Sequence, residues 1–501
     1  MIATIALMVL ACAKEEPIPN TVKEGTPTVT DAGYQRKVYF AKTLAKALSS
    51  RDVRSFLRRE SLNMFDNDYD VLYALIRDKE LGDGVTFEDA LSSYADSKEH
   101  FKRVVDEEPL LTIYVPELAK WDAMRWNLDK EVPIVAVRDE HREKSSTKVF
   151  AFDKEGTVSS WSYNVEPNVP ILVIKDNERV LVDNEGNNRL RIASEEGEDL
   201  YVTSTSKGKL FFSSDAFKYD HRKAATRSGA VIHKDRPYDD KYLQSGTFAN
   251  ALRDMPWYAF IETPESQRDY IYYGISTRRN ISKGAFKGNA INEHICAFYV
   301  ENPNSLNYIA DAARDNPTNW TEGRLEFCFD ILFTGQDGKI TSVRKMFTCK
   351  TSDLFGRNHK GDFVSYCYYF NDANGIKIAP WDMQKYGDTW KIHVYEYDPG
   401  VQITRNIQVS STFSSNFSAE AEASLFKVVK IGAKGGASKS TTMTSSAQIV
   451  MTDTSDDLGE AILSFSDPII INPYIYGDLD EGVALYNGIS TGMVSIQISP
   501  R

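Results

Sequence analysis

The sequence is poor in the signatures that usually announce an activity. It contains no His-Glu-x-x-His, no Gly-x-Ser-x-Gly and no Walker loop, which removes the commonest metalloprotease, serine-hydrolase and nucleotide-binding readings. Its seven histidines (His100, His141, His221, His233, His294, His359 and His393) stand far apart, without metal-ligand spacing. A hydrolase would therefore have to assemble its site from dispersed residues. Cysteine is scarce, five in 501 residues, and none forms a Cys-x-x-Cys pair, so zinc and dithiol-redox chemistry lack a basis. The net charge is −12 and there is no basic block, so no nucleic-acid partner is expected. Beyond residue 12 no run is long and apolar enough to span a bilayer as a helix.

What is present begins at the N-terminus. Residues 2–10 are apolar except Thr4, too short for a roughly 30 Å bilayer but suited to a signal-peptide core. The run ends in Val9-Leu10-Ala11-Cys12, which resembles a bacterial lipobox and implies acylation of Cys12. An N-terminal strand of the folded body is the alternative. It is disfavoured by the polar tether that follows, Ala13-Lys14-Glu15-Glu16-Pro17 and a stretch rich in Pro and Thr. Acidic residues just after the cysteine resemble the surface-export signal of Bacteroidota lipoproteins. That resemblance implies a lipid-anchored membrane partner and the outer face of the outer membrane, with the periplasmic face as the alternative.

The rest of the chain reads as α+β, mainly β. Residues 1–12 form the signal peptide and lipobox, 13–32 the tether, and 33–109 a small helical unit. Val38, Ala41, Leu44, Ala45 and Leu48 fall at helical spacing there, and Thr86 with Asp89 forms a cap signal. Residues 110–185 carry short β-type runs, as a small β domain or a strand extension of the helical unit; 186–245 read as a loop-rich linker around a hairpin near 200–212. Residues 246–501 open with a short helix carrying Phe248, Leu252 and Trp257. They continue as an antiparallel β-sandwich in which Gly335-Gln336-Asp337-Gly338 marks a hairpin. A long hairpin is inserted at about 400–451.

Without Cys12, the cysteines Cys296, Cys328, Cys349 and Cys367 remain, an even number on one stretch of chain. An exported protein can pair them in any of three ways, or leave them as buried thiols. Asp66-Asn67-Asp68-Tyr69-Asp70 is similar to the opening of an EF-hand loop, but Val71 stands where that loop needs glycine and Arg77 where it needs glutamate. A helix-capping acidic turn is the reading that remains.

Farther on, residues 390–398 read as a strand ending in Asp398, and Ser455-Asp456-Asp457-Leu458-Gly459-Glu460 as a turn entering another strand. Together they resemble the end of a calcium-binding C2 domain, which implies Asp398, Asp453, Asp456 and Asp457 as oxygen ligands for calcium. The resemblance lacks the usual Asp-x-Asp pair, and about 50 residues separate its two pieces; exposed acidic turns are the plainer reading.

Those intervening residues alternate with period two from 409 to 425. Val, Ser, Phe and Ala line one face, and Ser, Thr, Asn and Glu the other. Extended, they reach about 56 Å, against five or six residues in an ordinary strand. Such a hairpin either packs its apolar face on the protein or enters a membrane like the hairpins of β-pore-forming proteins; Lys427 and Lys439 interrupt the apolar face.

The mature chain resembles surface lipoproteins of Bacteroidota. The strings that carry this are Phe65-Asp66-Asn67-Asp68-Tyr69-Asp70-Val71-Leu72, Asn177-Glu178-Arg179-Val180, Tyr272-Tyr273-Gly274-Ile275 and residues 455–460. The family implies no assigned activity and transfers no functional residue. The expected role is non-enzymatic binding, with a glycan or an outer-membrane protein as partner and calcium as a stabilising ion. Trp320, Trp381 and Trp390 could stack on sugar rings if exposed, but a buried core position is the plainer reading for each. A membrane-active protein and a secreted hydrolase are the rival functions.

Overall fold

The computed structural model describes residues 31–139, 148–163, 165–183, 200–218, 231–233, 268–273, 292–301, 305, 309, 320–335, 337–370, 375–381, 386–398, 402–413, 441–453, 455–467, 469–471, 484–485 and 488–500. Cys12, the tether, His141, His221, the expected helix around Phe248, Leu252 and Trp257, and residues 414–440 lie outside them. The described fold is mainly β with a helical N-terminal layer.

Helix α1 (Ala32–Ala47) starts where the Asp31 carboxylate accepts the Gly33 amide at 2.8 Å. It buries Val38, Ala41, Leu44 and Ala45. Helices α2 (Arg51–Ser61), α4 (Phe87–Ser92) and α5 (Lys98–Asp106) follow, with the single turn α3 (Tyr73–Ile76) between the first two. As the spacing predicts, Thr86 caps α4 by accepting the Asp89 amide at 3.1 Å.

These helices do not form a unit of their own. They share one core with a six-stranded sheet of β1 (Asp70–Leu72), β2 (Leu111–Tyr114), β3 (Ile134–Val137), β4 (Lys148–Phe152), β5 (Val158–Ser162) and β6 (Ile171–Asp176), in the order β1-β2-β6-β3-β4-β5. All neighbours run antiparallel except β3 and β6. The helical segment and the strands after it are thus one α/β layer, because a helix stripe this apolar needs a sheet face to cover it. Strand β6 is buried from Ile171 to Lys175, which explains its unbroken apolar run.

Strands β7 (Val180–Asp183), β8 (Tyr201–Thr205) and β9 (Gly208–Phe212) form a small sheet in the order β8-β9-β7; β8 and β9 are the hairpin expected near 200–212. Strand β10 (Val231–His233) and the strands after it build two facing sheets. One has the order β10-β14-β11-β21-β20, from β11 (Asn292–Val300), β14 (Cys367–Tyr369), β20 (Gly488–Ser490) and β21 (Val494–Pro500), with β15 (Ile376–Pro380) also paired to β11. The other runs β13-β12-β16-β19, from β12 (Leu325–Gly335), β13 (Ile340–Cys349), β16 (Tyr386–Glu396) and β19 (Asp456–Ser464). Phe298, Ile496 and Ile498 from the first meet Phe327, Phe329, Ile331, Trp390 and Ile392 from the second in a common core, the arrangement of a sandwich. Gly338, at φ 74°, closes the β12–β13 hairpin at the expected turn.

Two pairs of alternatives are decided here. Trp320, Trp381 and Trp390 are all buried, so none is placed to stack on a sugar. Cys296, Cys328, Cys349 and Cys367 are free, buried thiols. Register keeps three of them apart: Cys328 lies opposite Met346 and Tyr395, Cys349 opposite Leu325, and Cys367 opposite Tyr299. Cys328 and Cys349 also leave opposite faces of one sheet, into different cores.

Burial pushes the Cys328 and Cys367 thiols up to about 12. Since the thiolate is the reactive form, the folded protein at about pH 8 should not react with Ellman's reagent. Unfolding without reductant should expose all four thiols. A count near zero after unfolding would establish disulfides instead.

Candidate functional site: a buried ionic seam and a carboxylate corner

Between the α/β layer and the sandwich runs a seam of buried charge. Its centre is Arg179, fully buried at the start of the Val180 strand. Its Nε donates to Glu326 Oε1 at 2.7 Å, and Nη2 contacts the same carboxylate. Nη2 also reaches Asp68 Oδ2 at 3.2 Å, and Nη1 donates to the Asp66 carbonyl at 3.2 Å. Lys175, on the central strand β6, donates to Glu178 and to the Glu322 carbonyl at 2.6 Å each and lies 3.2 Å from Asp70. Arg138 donates to Glu178 at 3.1 Å, contacts Glu322, and stands 3.6 Å from Asp398.

The acidic turn at Asp66 is therefore not a helix cap. It leads into strand β1 with its side chains turned inward, because bases from β6 and the loop after it wait there. Asn67 takes a left-handed conformation (φ 71°), which asparagine tolerates, and its amide donates to the carbonyls of Ala216 and Phe217. Asn177 donates to Asp66 at 2.9 Å. Gly323 (φ +101°) lets the chain pass this turn; a Cβ there would lie 2.5 Å from Asp68 Oδ2. The charges set the protonation logic. Desolvation opposes ionisation of Asp68, yet Arg179, Arg324 and Lys175 together hold it below its usual range.

At one end of the seam three acids come together. Glu396 and Asp456 are directly opposite each other on β16 and β19, and Asp398 lies two residues beyond Glu396. One carboxylate oxygen from each of the three falls within 4.8 Å of the others. Like charges directly across a sheet repel, and burial intensifies it. Glu396 is 3% exposed, and its Oε2 has no hydrogen-bond partner, while Oε1 accepts the Glu326 amide at 3.4 Å. Desolvation first, then Asp398, Glu322, Glu326 and Asp456, pushes its carboxyl well above the ordinary range. The corner is held in place by Thr452, whose hydroxyl donates to the Asp398 carbonyl at 2.6 Å and contacts Ser455.

Of the four aspartates expected to converge, the structure joins Asp398 and Asp456. Asp453 is exposed and outside the cluster. Asp457 faces the other way. A bulge between Val394 and Tyr395 sets Asp456 opposite Glu396 and Asp457 opposite Tyr395, and successive side chains leave opposite sheet faces. Asp457 instead accepts from His393 at 3.0 Å and pairs with Arg405. The aspartate pattern in the sequence does not include Glu396, although Glu396-Tyr397-Asp398 is itself a carboxylate-x-carboxylate pair.

No protein-family model, curated protein or solved structure matches this chain. The geometry alone must therefore carry the functional reading.

One cleft of about 370 Å³ opens on the α/β layer, lined by Trp121, Pro167, Val169 and Pro170 with Glu131 and Glu166; no histidine or cysteine lines it. The His393–Asp457 pair has the chemistry of a general base, but His393 is fully buried beside Arg405.

Arg179→Ala would leave Glu326 buried without the guanidinium that donates to it and remove one of the three bases around Asp68. Equilibrium denaturation should show a loss of about 3–5 kcal/mol, and Gly323→Ala should also destabilise by forcing the Asp68 turn apart. The His393 hydrogen bond, then Arg405, holds the Asp457 carboxyl well below its usual range. Its contribution is present above the ordinary carboxylate pKa of about 3.9 and is lost as pH falls through its own lower value. The stability gap between wild type and Asp457→Asn should hold from neutral pH to about pH 4 and close below it, measured by urea denaturation across pH.

Proposed function

We propose that this chain is an exported lipoprotein, anchored through acyl chains on Cys12 and facing the cell exterior, that acts by binding rather than catalysis. The observation that favours binding over membrane insertion is the seating of the long hairpin. Strands β17 (Gln402–Phe413) and β18 (Thr441–Thr452) pair in unbroken register from Gln402↔Thr452 to Phe413↔Thr441. Ile407, Val409 and Ile449 are buried with Leu332 on the outer face of the four-stranded sheet. Ser411 donates to the Thr389 carbonyl at 2.9 Å and Ser445 to that of Gly338 at 2.8 Å, fixing the same face. The described part of the apolar face is covered by the protein's own sheet and does not meet lipid.

The opposite face carries Asn406, Gln408, Ser410, Thr444, Ser446 and Gln448, all exposed. Uncharged hydroxyls and amides on a flat two-stranded ribbon suit hydrogen bonding to a glycan or to a polar surface of an outer-membrane protein. The hydrolase alternative gains nothing from His393 and Asp457, since a buried imidazole under the hairpin base offers no approach to substrate. No described helix is long and apolar enough to cross a membrane, so anchorage in this reading rests on lipid.

Expression in a bacterium with lipoprotein processing should yield a product that incorporates radiolabelled palmitate and is shaved from intact cells by protease. Cys12→Ala should abolish both label and membrane retention. Recovery of unlabelled full-length protein from the cytosol would overturn the address. The delipidated protein should leave dye-loaded liposomes intact; leakage would transfer the hairpin to the membrane-active reading.

A further inference from the structure

The carboxylate corner brings three acids within reach of one another, and one of them keeps a buried oxygen without a hydrogen-bond partner. Elsewhere Glu326 accepts from Arg179, Glu178 from Lys175, and Asp330 on β12 from a bidentate Arg344 at 2.7 and 2.8 Å. At the corner, three acids face one another. The strand register opposes Glu396 and Asp456, Asp398 just past the end of β16 lies within reach of both, and Glu396 Oε2 is buried with no donor. Arg138 is the base that reaches Asp398, at 3.6 Å, but it lies closer to Glu178 and Glu322.

We propose that Glu396, Asp398 and Asp456 hold a calcium ion where the sandwich abuts the α/β layer. The oxygens have the right identity, since hard divalent cations take carboxylate ligands. The spacing fits as well. Oxygens within 4.8 Å of one another can share an ion whose bonds are 2.3–2.6 Å long, while magnesium demands near-ideal octahedral geometry at 2.0–2.1 Å. Water completes the six to eight ligands calcium takes. The unpartnered Oε2 of Glu396 becomes a ligand, and the repulsion across β16 and β19 becomes attraction through the ion.

Position gives the ion a structural task. Asp398 touches Arg138 of the α/β layer, Asp456 opens β19 of the sandwich, and Thr452 at the hairpin base ties the Asp398 loop to Ser455. An ion here fastens three parts of the molecule at one point: the layer, the sandwich and the root of the hairpin. The inference is independent of the lipid anchor and of any partner, and can be read on the purified soluble chain.

The test is thermal unfolding of the full chain lacking its first twelve residues, stripped with EDTA and titrated with calcium or magnesium chloride. Calcium in the millimolar range should raise Tm by about 5 °C, because a ligand held only by the folded state stabilises it by mass action. Magnesium should give a smaller shift. Glu396→Gln should abolish the calcium response while unfolding no earlier than wild type without metal, since it removes a buried like charge. Asp456→Asn should behave in the same way, and Asp457→Asn should keep the full response. Isothermal titration of calcium into wild type and Glu396→Gln provides a readout that does not depend on stability. No calcium shift and no binding heat in wild type would overturn the proposal, as would an undiminished response in Glu396→Gln.

Discussion

Arg179 cannot be buried without Glu326, and that constraint joins the two parts of this molecule. A guanidinium in a dry interior carries a desolvation cost of several kcal/mol, offset only by close, well-aligned acids. Its acids come from both sides of the seam, Asp66 and Asp68 from the α/β layer and Glu326 from the first residues of β12. Neither part can therefore keep its own charges dry without the other. The chain shows the same dependence: Trp320 sits in the core of the α/β layer, while Leu325, five residues later, lies in the core of the sandwich. Between them Glu322, Gly323 and Arg324 pass against Lys175 and Asp68.

The sheet that contains β12 serves this arrangement with both faces. Phe327, Phe329, Ile331 and Phe333 point into the sandwich. The alternate residues meet three different neighbours in turn. Cys328 joins Tyr395, Met346 and the apolar residues of the small sheet; Asp330 pairs with Arg344; Leu332 receives the hairpin. Arg344 extends the middle contact to the Val450 carbonyl at 2.6 Å, so the hairpin is tied down by a buried charge as well as by its apolar face. A strand buried on both faces but polar at intervals reads poorly as either an edge or a centre, and this is how β12 resolves it.

Much of the local structure could be read from the residues. Thr86 and Asp89 signal a cap that forms, Gly335 and Gly338 a hairpin that closes, and the alternation from Val409 an amphipathic ribbon whose described part is seated as such. Whether the strands after the helices form a domain of their own or extend the helical unit stays open in the sequence, because periodicity reports that a face is apolar without saying what covers it; the shared core decides for the extension. The acids fared worst. Asp66, Asp68 and Asp70 look like solvent-facing turn residues until Lys175 and Arg179 are placed beside them, more than a hundred positions away.

The sequence alone determined the period of each element, the turns that bound it and the mainly β character, since these depend on interactions within a few residues. Only the tertiary structure decided which charges meet and which cysteines do not. Strand register does that work: one bulge between Val394 and Tyr395 turns Asp456 toward Glu396 and Asp457 toward His393. A shift of one residue exchanges the faces of a strand, and nothing in the spacing of nearby residues records where that shift occurs.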